Sequence, residues 1–223
     1  MGGGAFDITR ARKGLTWLLR RDYLMLLQIG AIWAAIIAVI FSVLWYGFGV
    51  QGMPLHPAYL VTPYFVGALT AAALSEEAWS LNYALEAGRI LFWKFFLLGI
   101  ITSVLVRSGM HLMVLPGVAG AILLTCAAPL RFQEADGVVG ALIGSARLVG
   151  GRFWRVAALY LMVLAATLLG LAPLFAVVSL LVPFGNNLLG AAIAGVVLQV
   201  VSVYLGVAIY REIVFQEDTG EPA

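Results

Sequence analysis

Residues 115–168 read LPGVAGAILLTCAAPLRFQEADGVVGALIGSARLVGGRFWRVAALYLMVLAATL. An apolar segment closes on Pro129, a polar linker carries Arg131, Glu134 and Asp136, and Phe153-Trp154-Arg155 opens a second apolar segment. Aromatic and basic side chains collect at the membrane–water boundary, because an amphipathic ring or a long cationic stem satisfies both media there. The stretch therefore predicts a spanning helix, a helix along one bilayer surface, and re-entry at residues 153–155.

The rest of the chain fits that reading. Apolar residues make up 63% and charged residues 11% of the sequence, against about 45–50% and about 25% in soluble domains; the mean hydropathy is +1.03. With about 20 residues needed per span, the 223 residues give one integral membrane domain of five or six spans. The formal net charge of +2 argues against a nucleic-acid partner. The single cysteine, Cys126, lies in an apolar run, so no intramolecular disulfide and no cysteine metal site is expected.

Working outward, the fold class expected is an all-α, polytopic membrane helix bundle: six transmembrane helices and three cytoplasmic interfacial amphipathic helices. Spans are placed at about residues 24–48, 58–75, 90–106, 110–128, 156–182 and 188–210. An interfacial helix covers 6–22, with Ile8, Ala11, Leu15 and Leu18 on its apolar face and arginines directed at anionic headgroups. Interfacial segments cover 76–89 and 131–152; in the latter Val139, Leu142, Ala146, Val149 and Phe153 are expected toward lipid. Arg107-Ser108-Gly109 reads as a tight turn.

In this threading Arg107 stands on one side of the membrane and the other basic residues on the opposite side. By the positive-inside rule both termini are cytoplasmic, and the expected location is a bacterial cytoplasmic (inner) membrane. The order surface helix, span, turn, span recurs approximately three times, with Phe92-Trp93-Lys94 and Phe153-Trp154-Arg155 at matching re-entries.

The central stretch resembles the membrane-domain family attached to some glycerophosphodiester phosphodiesterases, and related uncharacterised bacterial inner-membrane families. The resemblance is carried by Leu115-Pro116-Gly117, Ala127-Ala128-Pro129-Leu130, Glu134, Ala141-Leu142, Ser145, Arg147-Leu148 and Gly151-Arg152-Phe153-Trp154-Arg155, over about residues 110–170. It implies a multi-helical membrane module. The phosphodiesterase chemistry of the fused relatives sits in a separate soluble barrel and is not carried over.

No H-E-x-x-H, Walker A or G-x-S-x-G pattern occurs, so no enzyme activity, cofactor or metal is expected. Candidate partner or headgroup contacts are Glu86, Arg89, Arg147, Arg152 and Arg155 on the cytoplasmic side, and Arg107 with His111, near His56, on the outer side. Pro116 and Pro173 are candidate helix breaks, which in transporters can mark a mid-membrane site. Two functions follow. The first is a non-catalytic scaffold or complex subunit with a membrane or cytoplasmic protein partner; the second is a transporter or lipid-handling module for a small solute or phospholipid-derived substrate. A dry core of small residues would favour the first and a polar cavity the second. The sequence leaves the oligomeric state open.

Overall fold

The computed structural model describes residues 6–43, 58–77, 79–133, 137–181 and 188–219. All regular structure among them is helical. The first helix, α1 (Ile8–Arg21), starts on Asp7, whose carboxylate accepts the N–H groups of Thr9 at 2.7 Å and Arg10 at 3.3 Å. This caps donors that the first helical turn leaves without partners.

The apolar face of α1 does not lie on lipid, as the sequence suggests. Ala11, Leu15 and Leu18 are buried against the last and penultimate helices of the bundle, while Arg10, Arg12, Lys13, Trp17 and Arg20 face outward. Amphipathicity fixes which side of the helix is apolar; protein and bilayer interior are equally acceptable covers for it.

At Asp22 the chain passes into α2 (Tyr23–Ser42). Met25, Ile29, Trp33 and Ile37 point into the bundle, while Leu24, Leu27, Ile32, Ile36 and Val39 point out. Both faces are apolar, as expected of a helix with protein on one side and hydrocarbon on the other. The third helix, α3 (Ala58–Leu74), runs through Pro63 without a break and buries Phe65, Ala68, Leu69 and Ala71 to Ala73.

The largest departure from expectation is α4 (Leu81–Leu112). The expected surface segment 76–89, the span 90–106 and the turn at Arg107-Ser108-Gly109 lie largely within this one 32-residue helix, about 48 Å long at 1.5 Å per residue. Nothing in 81–112 forces a stop: the segment has no proline, and Gly88 and Gly109 are used for close packing. A Cβ on Gly88 would come 2.6 Å from the Tyr64 carbonyl oxygen, and one on Gly109 would come 2.9 Å from Gly117. The turn falls instead at Met113, which is extended (φ −164°, ψ 149°). The repeat is correspondingly imperfect, since its surface helix is separate in the first and third copies and fused to the span in the second.

The return segment is split into α5 (Val114–Leu123) and α6 (Ala127–Gln133). Pro116 lies in the first turn of α5 and Pro129 inside α6. Pro116 thus marks a helix start, where a missing N–H costs little, and the break comes at 124–126. Next, α7 (Gly137–Gly150) packs against α5 and α6 through Ala141, Leu142, Ser145 and Val149. Leu142 and Val149 therefore face protein, contrary to expectation, whereas Val139 is exposed.

The eighth helix, α8 (Phe153–Leu181), continues through Pro173, so the expected break there is absent; the ninth, α9 (Leu188–Thr219), runs past the expected end at Tyr210. The hub of the bundle is α9, which packs against α1, α2, α3, α6 and α8. Every residue from 203 to 210 is buried. Among the described residues five stretches are long and apolar enough to cross a membrane: 23–40, 81–111, 114–133, 153–173 and 193–214. The described apolar part of α3, Val61–Leu74, is shorter.

Candidate functional site

A partly open cavity of about 690 Å³ lies between the helices of the bundle. Its walls come from α2, α3, α4, the α5–α6 segment, α8 and α9. Ile37, Val66, Phe95, Leu98, Val196 and Val203 supply apolar surface, and Thr62, Thr102, Ser103, Thr125, Gln199 and Ser202 supply hydroxyl and amide groups. Arg107 is the charged side chain among the described residues of the lining. Mostly apolar walls with a few polar groups are the usual make-up of a small-molecule site, and the volume falls inside the roughly 300–1,000 Å³ range of such sites.

The split between α5 and α6 shapes one wall. A helix broken at membrane depth leaves backbone groups that must be satisfied by protein or by a wet cavity. Here Ser145 of α7 does part of this. Its hydroxyl donates to the Leu123 carbonyl at 2.7 Å and accepts the Cys126 N–H at 3.1 Å. Thr125 Oγ1 bonds back to the Ala121 carbonyl at 3.0 Å. The Thr125 carbonyl is pressed against Gly206 of α9, where a side chain would collide with it. Leu124, Thr125, Ala127 and Ala128 all line the cavity, so the break is held open on the cavity and locked behind it.

Further along α9, one residue beyond the lining residue Val203, Tyr204 begins a buried polar cluster. Its hydroxyl donates to Asp22 Oδ2 at 2.7 Å. The neighbouring Arg21 grips the same carboxylate in two-pronged fashion, Nε to Oδ1 at 2.7 Å and Nη2 to Oδ2 at 2.8 Å. Arg21 also donates to the carbonyls of Ala72 and Ser75, each at 2.7 Å. Arg211 adds bonds to the carbonyls of Leu74 at 2.7 Å and Ser75 at 3.1 Å. Two cations thus meet the negative end of the α3 dipole and its orphaned carbonyls, which favour positive charge. Asp22 is only 3% exposed. With a bidentate guanidinium and a phenol, it satisfies the condition under which a buried carboxylate is tolerated.

The expected contact residues distribute unevenly around these features. Arg107 lines the cavity, and His111 is exposed one turn further along the same helix; His56 lies outside the described residues. Glu86 and Arg89 form a 3.7 Å pair within α4, with side chains 60% and 77% exposed. Arg147 and Arg155 are exposed and Arg152 is half-buried; Arg155 reaches the Phe6 carbonyl at 3.5 Å. None of Glu86, Arg89, Arg147, Arg152 or Arg155 lines the cavity, and neither does Pro116 or Pro173. Glu134 and Asp136 lie outside the described residues. Among the described residues no group of three or more His, Cys, Asp or Glu side chains comes together as a metal site would require.

Sequence reasoning gave no role to Tyr204, Asp22 or Arg211, and met Ser145 only among the residues that carry the family resemblance. One signal was available for Asp22: a carboxylate directly between an arginine and a long apolar run has no low-cost position unless it is paired.

These features define the chain as an all-α, multi-pass, membrane-embedded helical protein with a cavity between its helices. Comparison with protein-family models gives no match, and comparisons with curated proteins and with solved structures give none either.

Proposed function

We propose that the chain is a lipid-handling or transport module that takes a small amphiphile into the bundle, in preference to a scaffold with a dry core. The observation that carries this reading is the cavity of about 690 Å³, with apolar walls, interspersed hydroxyl and amide groups, and an arginine in its lining. A module of this kind fits the family resemblance over residues 110–170, which brings no phosphodiesterase activity with it. The proposed setting is a bacterial inner membrane crossed six times, α3 included, with both termini in the cytoplasm. Basic residues of α1 and Arg211 gather around the α1–α2 junction, while Arg107 and His111 occupy the far end of α4, as the positive-inside rule asks.

The test is native mass spectrometry of the full-length protein carried from its own membrane into lipid discs. A retained small amphiphile at fixed ratio, lost when the cavity is filled by Gly195→Phe or Gly99→Phe, is the expected result; a Cβ meets nothing within 4 Å at Gly195 and only Pro63 Cγ at 3.7 Å at Gly99. A reproducible protein partner with no retained amphiphile would replace this reading by the scaffold. Orientation is checked separately, in a background without Cys126, by single cysteines at Arg107 and Arg20 and a membrane-impermeant maleimide. Labelling at position 20 but not 107 in intact cells would reverse the topology.

A further inference from the structure

We infer that the cavity selects a single-chain anionic lipid carrying a hydrogen-bond acceptor just below its head group, of the acylglycerol-phosphate type. This names the ligand class for the site proposed above and rests on that reading. Three observations converge on it. The first is charge: Arg107, exposed at one end of the cavity, is the charged side chain among the described lining residues, and a guanidinium beside mostly apolar walls favours an anionic head group, phosphate or carboxylate.

The second is a pair of buried polar atoms. Trp33 Nε1 on α2 and Thr102 Oγ1 on α4 are both buried with no hydrogen-bond partner, and both residues line the cavity. Trp33 is 1% exposed and its ring stacks on Phe65 at 5.0 Å. An indole N–H only donates, so a ligand that relieves it must bring an acceptor. A helical threonine ordinarily satisfies its hydroxyl on the carbonyl one turn back, as Thr125 and Thr167 do in this bundle; Thr102 does not. Buried groups left in this state each carry a desolvation penalty that a carbonyl or bridging oxygen would remove.

The third is spacing and size. Thr102 precedes Arg107 by five residues on one helix, about 7.5 Å along its axis, so the anionic contact and the acceptor contact are separated by little more than one helical turn. Beyond Thr102 the walls turn apolar at Leu98 and Phe95. The sequence of surfaces from Arg107 inward is therefore charge, hydrogen-bond donor, hydrocarbon. A volume of about 690 Å³ holds one chain with its head, and a second chain would have to remain outside. Gln199 and Ser202 on α9 are further polar groups of the lining.

The experiment uses full-length protein in phosphatidylcholine discs and three probes of equal chain length: 1-acyl-lysophosphatidic acid, the corresponding monoacylglycerol, and the alkyl-ether lysophosphatidic acid. The second lacks the phosphate and the third lacks the ester carbonyl. Native mass spectrometry with competition ranks them. Lysophosphatidic acid should bind at least about 10-fold more tightly than monoacylglycerol, the effect of a charge-assisted contact, and Arg107→Gln should abolish that difference. The ester should outbind the ether by about 5-fold, as one neutral hydrogen bond allows, and Trp33→Phe should remove this preference. Thr102→Val serves the same purpose should Trp33→Phe not fold.

Equal binding of all three probes, displaced by Gly195→Phe, would overturn the ligand class and leave the amphiphile reading in place. The class is equally overturned if monoacylglycerol binds best or Arg107→Gln changes nothing. No binding of any probe, together with indifference to Gly195→Phe, would remove both.

Discussion

The hydroxyl of Tyr204 lies 2.7 Å from Asp22 Oδ2, joining residues 182 positions apart. It fastens the middle of α9 to the point where α1 gives way to α2. Arg21 holds the same carboxylate and, with Arg211, the end of α3. Four helices thus meet at one carboxylate. Removing it strands the Arg21 guanidinium in a site where its side chain is 9% exposed. Asp22→Ala should cost about 3–5 kcal/mol, as for one partner of a buried pair, and Tyr204→Phe about 1.5–3 kcal/mol. The double variant should cost less than the sum, because both changes act on one network. Unfolding in mild detergent against denaturant measures all three; additive losses would mean that the two groups act independently.

Ser145 stitches the α5–α6 break from a neighbouring helix. Ser145→Ala would leave the Cys126 N–H and the Leu123 carbonyl without this partner in a buried setting, at about 1–3 kcal/mol. Hydrogen exchange should quicken at residues 124–127 and stay unchanged in α1. Unaltered exchange at the break would show that the hydroxyl bond is dispensable.

Gly206 allows the Thr125 carbonyl to touch the α9 backbone. Gly206→Ala places a methyl group on that oxygen, and because the obstacle is backbone rather than a flexible side chain, relief requires α6 and α9 to separate. Overpacking of this kind costs about 1–3 kcal/mol. The same substitution at Gly120, where a Cβ meets nothing within 4 Å, should be neutral or slightly stabilising, as expected for alanine in a helix. Thermal unfolding of the two variants side by side checks the contrast.

Asp7 predicts a pH dependence at the N-terminal end. The backbone N–H groups of Thr9 and Arg10 hold its carboxyl below the ordinary carboxylate value. A group lowered in the folded state stabilises above its unfolded value, and that contribution is lost as pH falls through the folded value. Exchange protection in the first turn of α1, corrected for the intrinsic rate, should therefore hold near neutrality and fall in acid below the usual carboxylate range. Asp7→Asn keeps a capping oxygen without the titration, and should flatten the profile while preserving protection at neutral pH.

Legibility of the sequence varied from element to element for physical reasons. The basic outer face of α1, the apolar length of α2 and α8, and the Phe153-Trp154-Arg155 opening of α8 could all be read, because hydropathy and interfacial anchors are local properties. The length of α4 could not: the sequence reads residues 76–89 as a separate interfacial segment and Arg107-Ser108-Gly109 as a turn. Neither stops a helix when residues 81–112 contain no proline and Gly88 and Gly109 are needed for contact with α3 and α5. Pro173 misled in the opposite direction, since a proline within a long packed helix need not end it. At the site, Arg107 could be picked out as the isolated outer arginine. Trp33, Thr102 and Tyr204 could not, because an aromatic or hydroxyl residue inside an apolar span carries no sign of which way it faces.

By itself, the sequence determined that this chain is helical and membrane-embedded, and where its surface anchors fall, because transfer of apolar and charged groups between water and hydrocarbon depends mainly on composition along the chain. Only the tertiary structure decided which apolar face of each helix meets protein and which meets lipid. Both faces are apolar, so hydropathy does not distinguish them. Packing does: close approach at Gly88, Gly109 and Gly206, and the pairing of Asp22 with Arg21 and Tyr204, set the helices so that a cavity remains between them with Arg107 in its wall.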